Sequence, residues 1–142
     1  MLRQILPDLV VKHWDEMKSA FRIALPPNVK VDEEKLTNVL EAIINGEMQV
    51  WGCGKDEELF SVLATAIAVD QFSGERNLLI YIMYGYKLMT QDLWQDGLAT
   101  LRDFAKAKGC TYIIGYTCVP RILEVVKELG GDTSNVLVRL EV

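Results

Sequence analysis

The stretch from Glu58 to Gln71 constrains this chain more than any other part of it. Leu59, Leu63, Ile67 and Val69 fall on one face of an extended backbone, and Phe60, Val62, Ala64, Ala66 and Ala68 fall on the other. A strand that is apolar on both faces belongs in the middle of a sheet, covered from both sides. The chain therefore needs layers of helix above and below this strand. Its 142 residues, half of them hydrophobic, amount to one domain spanning 1–142, with enough core to fold without a metal or a disulfide.

The flanking segments supply those layers. Leu2 to Leu6 can form a short first strand. Val10, Trp14, Met17, Phe21 and Ala24 recur at helical spacing until Pro26-Pro27 stops the run. Asp32 is placed to cap a second helix with Glu33 and Glu34 in its first turn and Leu36, Val39, Leu40 and Ile43 along its buried stripe. After Asn45-Gly46 the period becomes strand-like over Glu47 to Cys53. A turn is expected at Gly52 to Asp56, making a hairpin with the long strand. Leu78 to Lys87 is again apolar on both faces, and Gly85 inside it predicts a bulge. Thr90 can cap a helix that closes at Gly109; Cys110 to Thr117 reads as a strand, and Pro120 opens a last helix ended by Gly130-Gly131. The alternation over Asn135 to Val142 predicts a final strand. Residues 78–117 thus form a βαβ unit, which requires parallel strands and a right-handed crossover. The fold class is α/β, a mixed sheet flanked by helices in the order (β)ααβββαβαβ.

Charge and cysteine content exclude several activities. Fifteen Lys and Arg against twenty Asp and Glu leave a net charge of −5, all of it in residues 1–71, the opposite of what phosphate neutralisation by a nucleic-acid binder requires. Cys53, Cys110 and Cys118 make an odd count without CxxC spacing, so neither a disulfide framework nor a zinc site is expected. No apolar run has the length of a membrane span or of a signal-peptide core, and a cytoplasmic, reducing location is expected. His13, the only histidine, reads as a solvated surface residue rather than the partner of a cysteine nucleophile. Asp32-Glu33-Glu34 and Asp56-Glu57-Glu58 each open an element and lack calcium-loop spacing. No metal ligand is assigned.

The order of elements resembles the GNAT N-acetyltransferase superfamily over nearly the whole chain. Leu101 to Cys110 is similar to that family's helix running into its fifth strand, and Val125-Val126-Lys127-Glu128-Leu129-Gly130-Gly131 is similar to its Leu-Tyr-Glu-Lys-Leu-Gly-Phe ending. The sequence also resembles small GNAT-like proteins of phages and prophages, which implies a phage origin and association with a virion. The resemblance implies acetyl-CoA in the gap where the fourth and fifth strands splay, its pyrophosphate held by the amides of a Gln/Arg-x-x-Gly-x-Gly/Ala loop. Were CoA to bind, Tyr84, Tyr86, Lys87, Thr90 and Gln91 are the residues placed to hold it.

Three positions depart from the family pattern. Tyr86 to Asp92 contains no glycine, and Asp92 brings a carboxylate to the first helical turn, where it would repel phosphate. The family's general-acid tyrosine aligns with Val126, and no acid lies between Leu78 and Lys87 to serve as a base. No catalytic residue is assigned. All five tyrosines (Tyr81, Tyr84, Tyr86, Tyr112, Tyr116) fall on the two strands that should splay, which is read either as core filling or as a ligand cleft of Tyr81, Tyr84, Tyr112, Tyr116 and Trp94. The expected function is a non-catalytic binding or structural module with a protein partner or self-association, no cofactor, no membrane and no nucleic acid. An acetyl-CoA-dependent N-acyltransferase with a divergent loop is the alternative, and a small-molecule sensor using the tyrosine cleft is a third reading.

Overall fold

The computed structural model describes residues 1–142. Its elements are β1 (Leu2–Ile5), α1 (Pro7–Lys12), α2 (Trp14–Ala24), α3 (Glu33–Ile44), β2 (Met48–Lys55), β3 (Glu58–Val69), β4 (Arg76–Gly85), α4 (Gln91–Ala107), β5 (Tyr112–Gly115) and α5 (Pro120–Glu128). The five strands form one sheet in chain order, antiparallel from β1 to β4 and parallel between β4 and β5. The strand that is apolar on both faces is β3, the middle one.

Each face carries its own core. On one, Val50, Val62, Ala64 and Ile82 pack against Val10, Phe21, Leu36 and Ile43 of the first three helices. On the other, Trp51, Leu63 and Leu78 pack against Leu93, Leu101 and Ala105 of α4. Asp32 caps α3 as expected, its Oδ1 accepting the Lys35 amide at 2.9 Å. Glu33 in the same turn pairs with Lys18 and Arg22 of α2. The hydrogen bonds these two cations donate, Lys18 first, hold its carboxyl below the ordinary value.

Several expectations are corrected. The first amphipathic helix breaks in two at His13, whose ψ of 21° leaves the helical range. The bend wraps the stripe around the sheet, so Val10 and Phe21 are both fully buried. The hairpin turns at Asp56-Glu57, both at positive φ (53° and 64°), rather than within Gly52 to Asp56. The glycines there serve close approach instead: a Cβ on Gly54 would stand 2.3 Å from the Glu58 carbonyl oxygen. Strand β3 ends at Val69, because the Asp70 carboxylate accepts the amides of Phe72 and Ser73 and turns the chain.

The bulge lies at Tyr81, not Gly85. Ala64 pairs with Ile82 and Thr65 with Ile80, so Tyr81 is the extra residue, while Gly85 pairs regularly with Ser61. Tyr81 and Ile82 consequently both pack on the α1–α3 side, whereas Ile80 and Met83 pack on the α4 side. The fifth strand covers Tyr112–Gly115 rather than Cys110 to Thr117. The expected last strand over Asn135 to Val142 does not form: its residues make no backbone hydrogen bond, and Leu140 is 86% exposed. Alternation specifies the two faces of a strand but not its neighbour, and no other strand pairs with this segment.

The α4-side core contains a satisfied polar relay. Trp51 Nε1–H donates to Thr65 Oγ1 at 2.9 Å, and the Thr65 hydroxyl donates to Gln49 Oε1 at 2.9 Å. Thr65 is fully buried, and Trp51 also meets Phe104 edge-on at 5.1 Å. Thr65→Val keeps the shape and strands the indole N–H. It should cost about 1–3 kcal/mol in urea unfolding, and a cost below a few tenths would show that the relay does not hold this core together.

Candidate functional site

The pairing of β4 with β5 runs from Asn77 opposite Tyr112 to Ile80 opposite Gly115 and stops there. Strand β4 continues for five more residues, beginning with the bulge at Tyr81. Beyond Ile80 nothing pairs with β4 on this side, and the resemblance places its cleft here, between Tyr81 to Gly85 and the segment after Gly115. The helix α4 that joins them starts at the same end.

The first residues of the loop between β4 and α4 are tied to β3. The amides of Tyr86 and Lys87 both donate to the Phe60 carbonyl, at 2.8 and 3.1 Å. The Lys87 ammonium pairs with Glu58 and lies 5.8 Å from the Phe60 ring centroid. Thr90 caps α4, its Oγ1 accepting the Leu93 amide at 3.4 Å and its carbonyl the Trp94 amide at 3.1 Å. Asp92 stands in the first turn, where its carboxylate already meets the positive end of the helix.

Beneath this loop lies a cavity of about 130 Å³ walled by Met83, Met89, Trp94 and Ile122, with Ser61 on its lining and Lys87 and Arg121 among the charged groups around it. Ser61 is 1% exposed and its Oγ has no hydrogen-bond partner. It pairs across β2–β3 with Cys53, whose thiol is pushed up by burial against smaller opposing effects of the N-terminal ammonium and the Ser61 hydroxyl. Arg121, in the first turn of α5, has only a loose contact with Glu124, 3.6 Å between exposed groups.

The structure divides the tyrosines instead of gathering them. Tyr81 and Tyr84 lean on the α1–α3 core, and burial pushes the Tyr81 phenol above its ordinary value. Tyr86 stacks edge-on against Tyr84 at 5.0 Å, its own phenol raised by burial and then by Tyr84 and Glu16. Trp94 is on the opposite, α4 side, in the cavity wall. Tyr112 is 61% exposed at the far, paired end of β5, and Tyr116 is exposed just past Gly115. Of the residues placed to hold CoA, Lys87 borders the cavity, Thr90 caps the helix and Gln91 is exposed in its first turn. No group of three or more His, Cys, Asp or Glu side chains converges to hold a metal.

Solved structures share this arrangement from end to end. A predicted acetyltransferase from Clostridium acetobutylicum, solved with acetyl-CoA, superposes with a TM-score of 0.68 at 15% identity, over 99% of this chain and 95% of that one. AAC(6′)-Iy, bound to a bisubstrate analogue built on CoA, gives 0.71 at 13% identity over 99% and 96%. An aminoglycoside acetyltransferase from an uncultured soil metagenomic sample, in complex with sisomicin, gives 0.69 at 9% identity over 100% and 94%. The fold is that of the GNAT acetyltransferases. No family model and no curated protein matches the sequence. Val126, which the sequence resemblance aligns with the family's tyrosine, lies on α5.

Reasoning from sequence missed Ser61, Glu58 and Arg121. Ser61 did carry a signal, as one of two hydroxyls on the otherwise apolar face Leu59, Ser61, Leu63, Thr65, Ile67. Arg121 carried none, because only the third dimension brings α5 to this loop. The three thiols report on the site. With an aromatic disulfide at pH 8, exposed Cys118 beside the cleft should react first, half-buried Cys110 more slowly, and Cys53 only on unfolding, since its raised pKa leaves less thiolate and its burial blocks access. Cys53 reacting as fast as Cys118 in the folded protein would mean that this end of the β2–β3 core is open.

Proposed function

We propose that this GNAT-fold protein is a binding or structural module that does not transfer acetyl groups. One observation carries the reading: the first two amides of the β4–α4 loop and its one cation are already engaged with β3. Tyr86 and Lys87 donate to the Phe60 carbonyl, and the Lys87 ammonium is paired with Glu58. The loop has no glycine to bring its backbone against a phosphate. Val126 in place of a general-acid tyrosine supports the same conclusion.

A protein partner or self-association fits the apolar surface left open. Val136, Val138 and Leu140 are strongly exposed in a segment with no backbone hydrogen bonds, and Phe72 stands out of the β3–β4 loop. The resemblance to small phage proteins favours a virion or the host cytoplasm as its setting. No helix is long and apolar enough to cross a membrane, and the net charge of −5 disfavours nucleic acid. A second reading, an N-acyltransferase using acetyl-CoA, is favoured by the splay of β4 from β5.

Thermal unfolding with millimolar acetyl-CoA separates the two. A ligand at one hundred times its Kd adds about 2.7 kcal/mol, which for a domain of this size is a shift of several degrees. No saturable shift is expected. A saturable one, accompanied by CoA release in the presence of amines, would establish the acyltransferase instead.

A further inference from the structure

The cavity under the β4–α4 loop has a chemical polarity of its own. Its one deeply buried polar group is the Ser61 hydroxyl, which can donate and accept and meets only the weak Cys53 thiol within the protein. Unpaired buried hydroxyls are costly, and native structures leave few of them. The walls are the thioethers of Met83 and Met89, the Trp94 indole and Ile122. Around them two helices begin: the positive end of α4 is met by the Asp92 carboxylate, whereas α5 has no acid in its first turn. Lys87 and Arg121 add cations. Their carboxylate neighbours are Glu58, tightly paired with Lys87, and Glu124, loosely placed by Arg121, so Arg121 is the cation left to receive an anion. At about 130 Å³ the space exceeds the roughly 30 Å³ share of a single water several-fold.

We propose that this cavity binds a short-chain monocarboxylate bearing a hydroxyl or carbonyl oxygen at its inner end. That oxygen pairs with Ser61, the hydrocarbon lies between the methionines and Trp94, and the carboxylate reaches Arg121. The inference goes beyond the loss of acetyl transfer: it shares Lys87 and Met89 of the β4–α4 loop with that reading, but its ligand needs no phosphate held there.

The test is an NMR titration of the full chain with 3-hydroxybutyrate, butyrate and neutral 1,3-butanediol. The hydroxy acid should bind saturably, shifting the amides of Met83, Gly85 and Met89. Butyrate should bind about tenfold more weakly, the worth of one net hydrogen bond, and the diol more weakly than the hydroxy acid. Ser61→Ala, which removes an unpaired group and should fold normally, should abolish the preference between the two acids. Arg121→Gln should weaken both, and Glu58→Gln, by freeing Lys87, should tighten both. Absence of saturable binding by either acid at tens of millimolar, or a preference that survives Ser61→Ala, overturns the proposal. Acetyl-CoA takes no part in the titration, so its result and that of the thermal-shift experiment are read independently.

Discussion

Tyr81 and Ile82 stand on the same face of β4, and the residue before them is the last that pairs with β5. An extra residue in one strand of an antiparallel pair increases the local twist, and here the bulge on the β3 side coincides with the parting on the β5 side. The parallel pairing is held to four residues, and β4 runs on toward the start of α4 paired with β3 alone. The direction in which Tyr81, Met83, Tyr84 and Gly85 point all follows from that insertion. Without it Tyr81 and Met83 would share a face, and the two cores would contain different side chains.

Strand β3 shows how a buried hydroxyl is settled by its surroundings. Thr65 and Ser61 share the α4-facing side and are both essentially inaccessible. Thr65 meets the Trp51 indole and the Gln49 amide and is fully used. Ser61 meets Cys53, a weak partner, and borders open space. Four residues apart on one strand, the Thr65 hydroxyl is fully used in the core and the Ser61 hydroxyl is left without a full partner.

Much of the fold was legible because it rests on local chemistry. The caps at Asp32 and Thr90, the stop at Gly109 with φ of 72°, and the parallel β4–β5 pair joined by α4 follow from periodicity, capping and crossover length. The misses share a cause: each depends on a neighbour. Gly85 drew the bulge prediction as the glycine in the strand, yet bulge position is set by pairing with Ala64 and Thr65. Gly52 and Gly54 read as a turn because their role, clearance from Ile5, Leu59 and Glu58, needs a partner strand to be seen. Five tyrosines on two strands suggested one cleft, but the change of face at Tyr81 puts Tyr84 and Trp94 on opposite sides of the sheet. Asn135 to Val142 alternates like a strand and lies beside no edge that pairs with it.

The contacts that close the phosphate loop also shape the cavity beneath it. The Phe60 carbonyl accepts the amides of Tyr86 and Lys87, and Lys87, Leu88 and Met89 line the cavity together with Met83 and Ser61. Opening that loop for a pyrophosphate would cost two backbone hydrogen bonds, each worth about 0.5–1.5 kcal/mol net, together with the Lys87–Glu58 pair, and would remove part of the cavity's wall. A cradle for a large dianion and a small pocket with one inner hydroxyl would thus draw on the same loop residues, Lys87 to Met89, and a stretch with no glycine between Tyr86 and Asp92 gives a phosphate no close backbone approach.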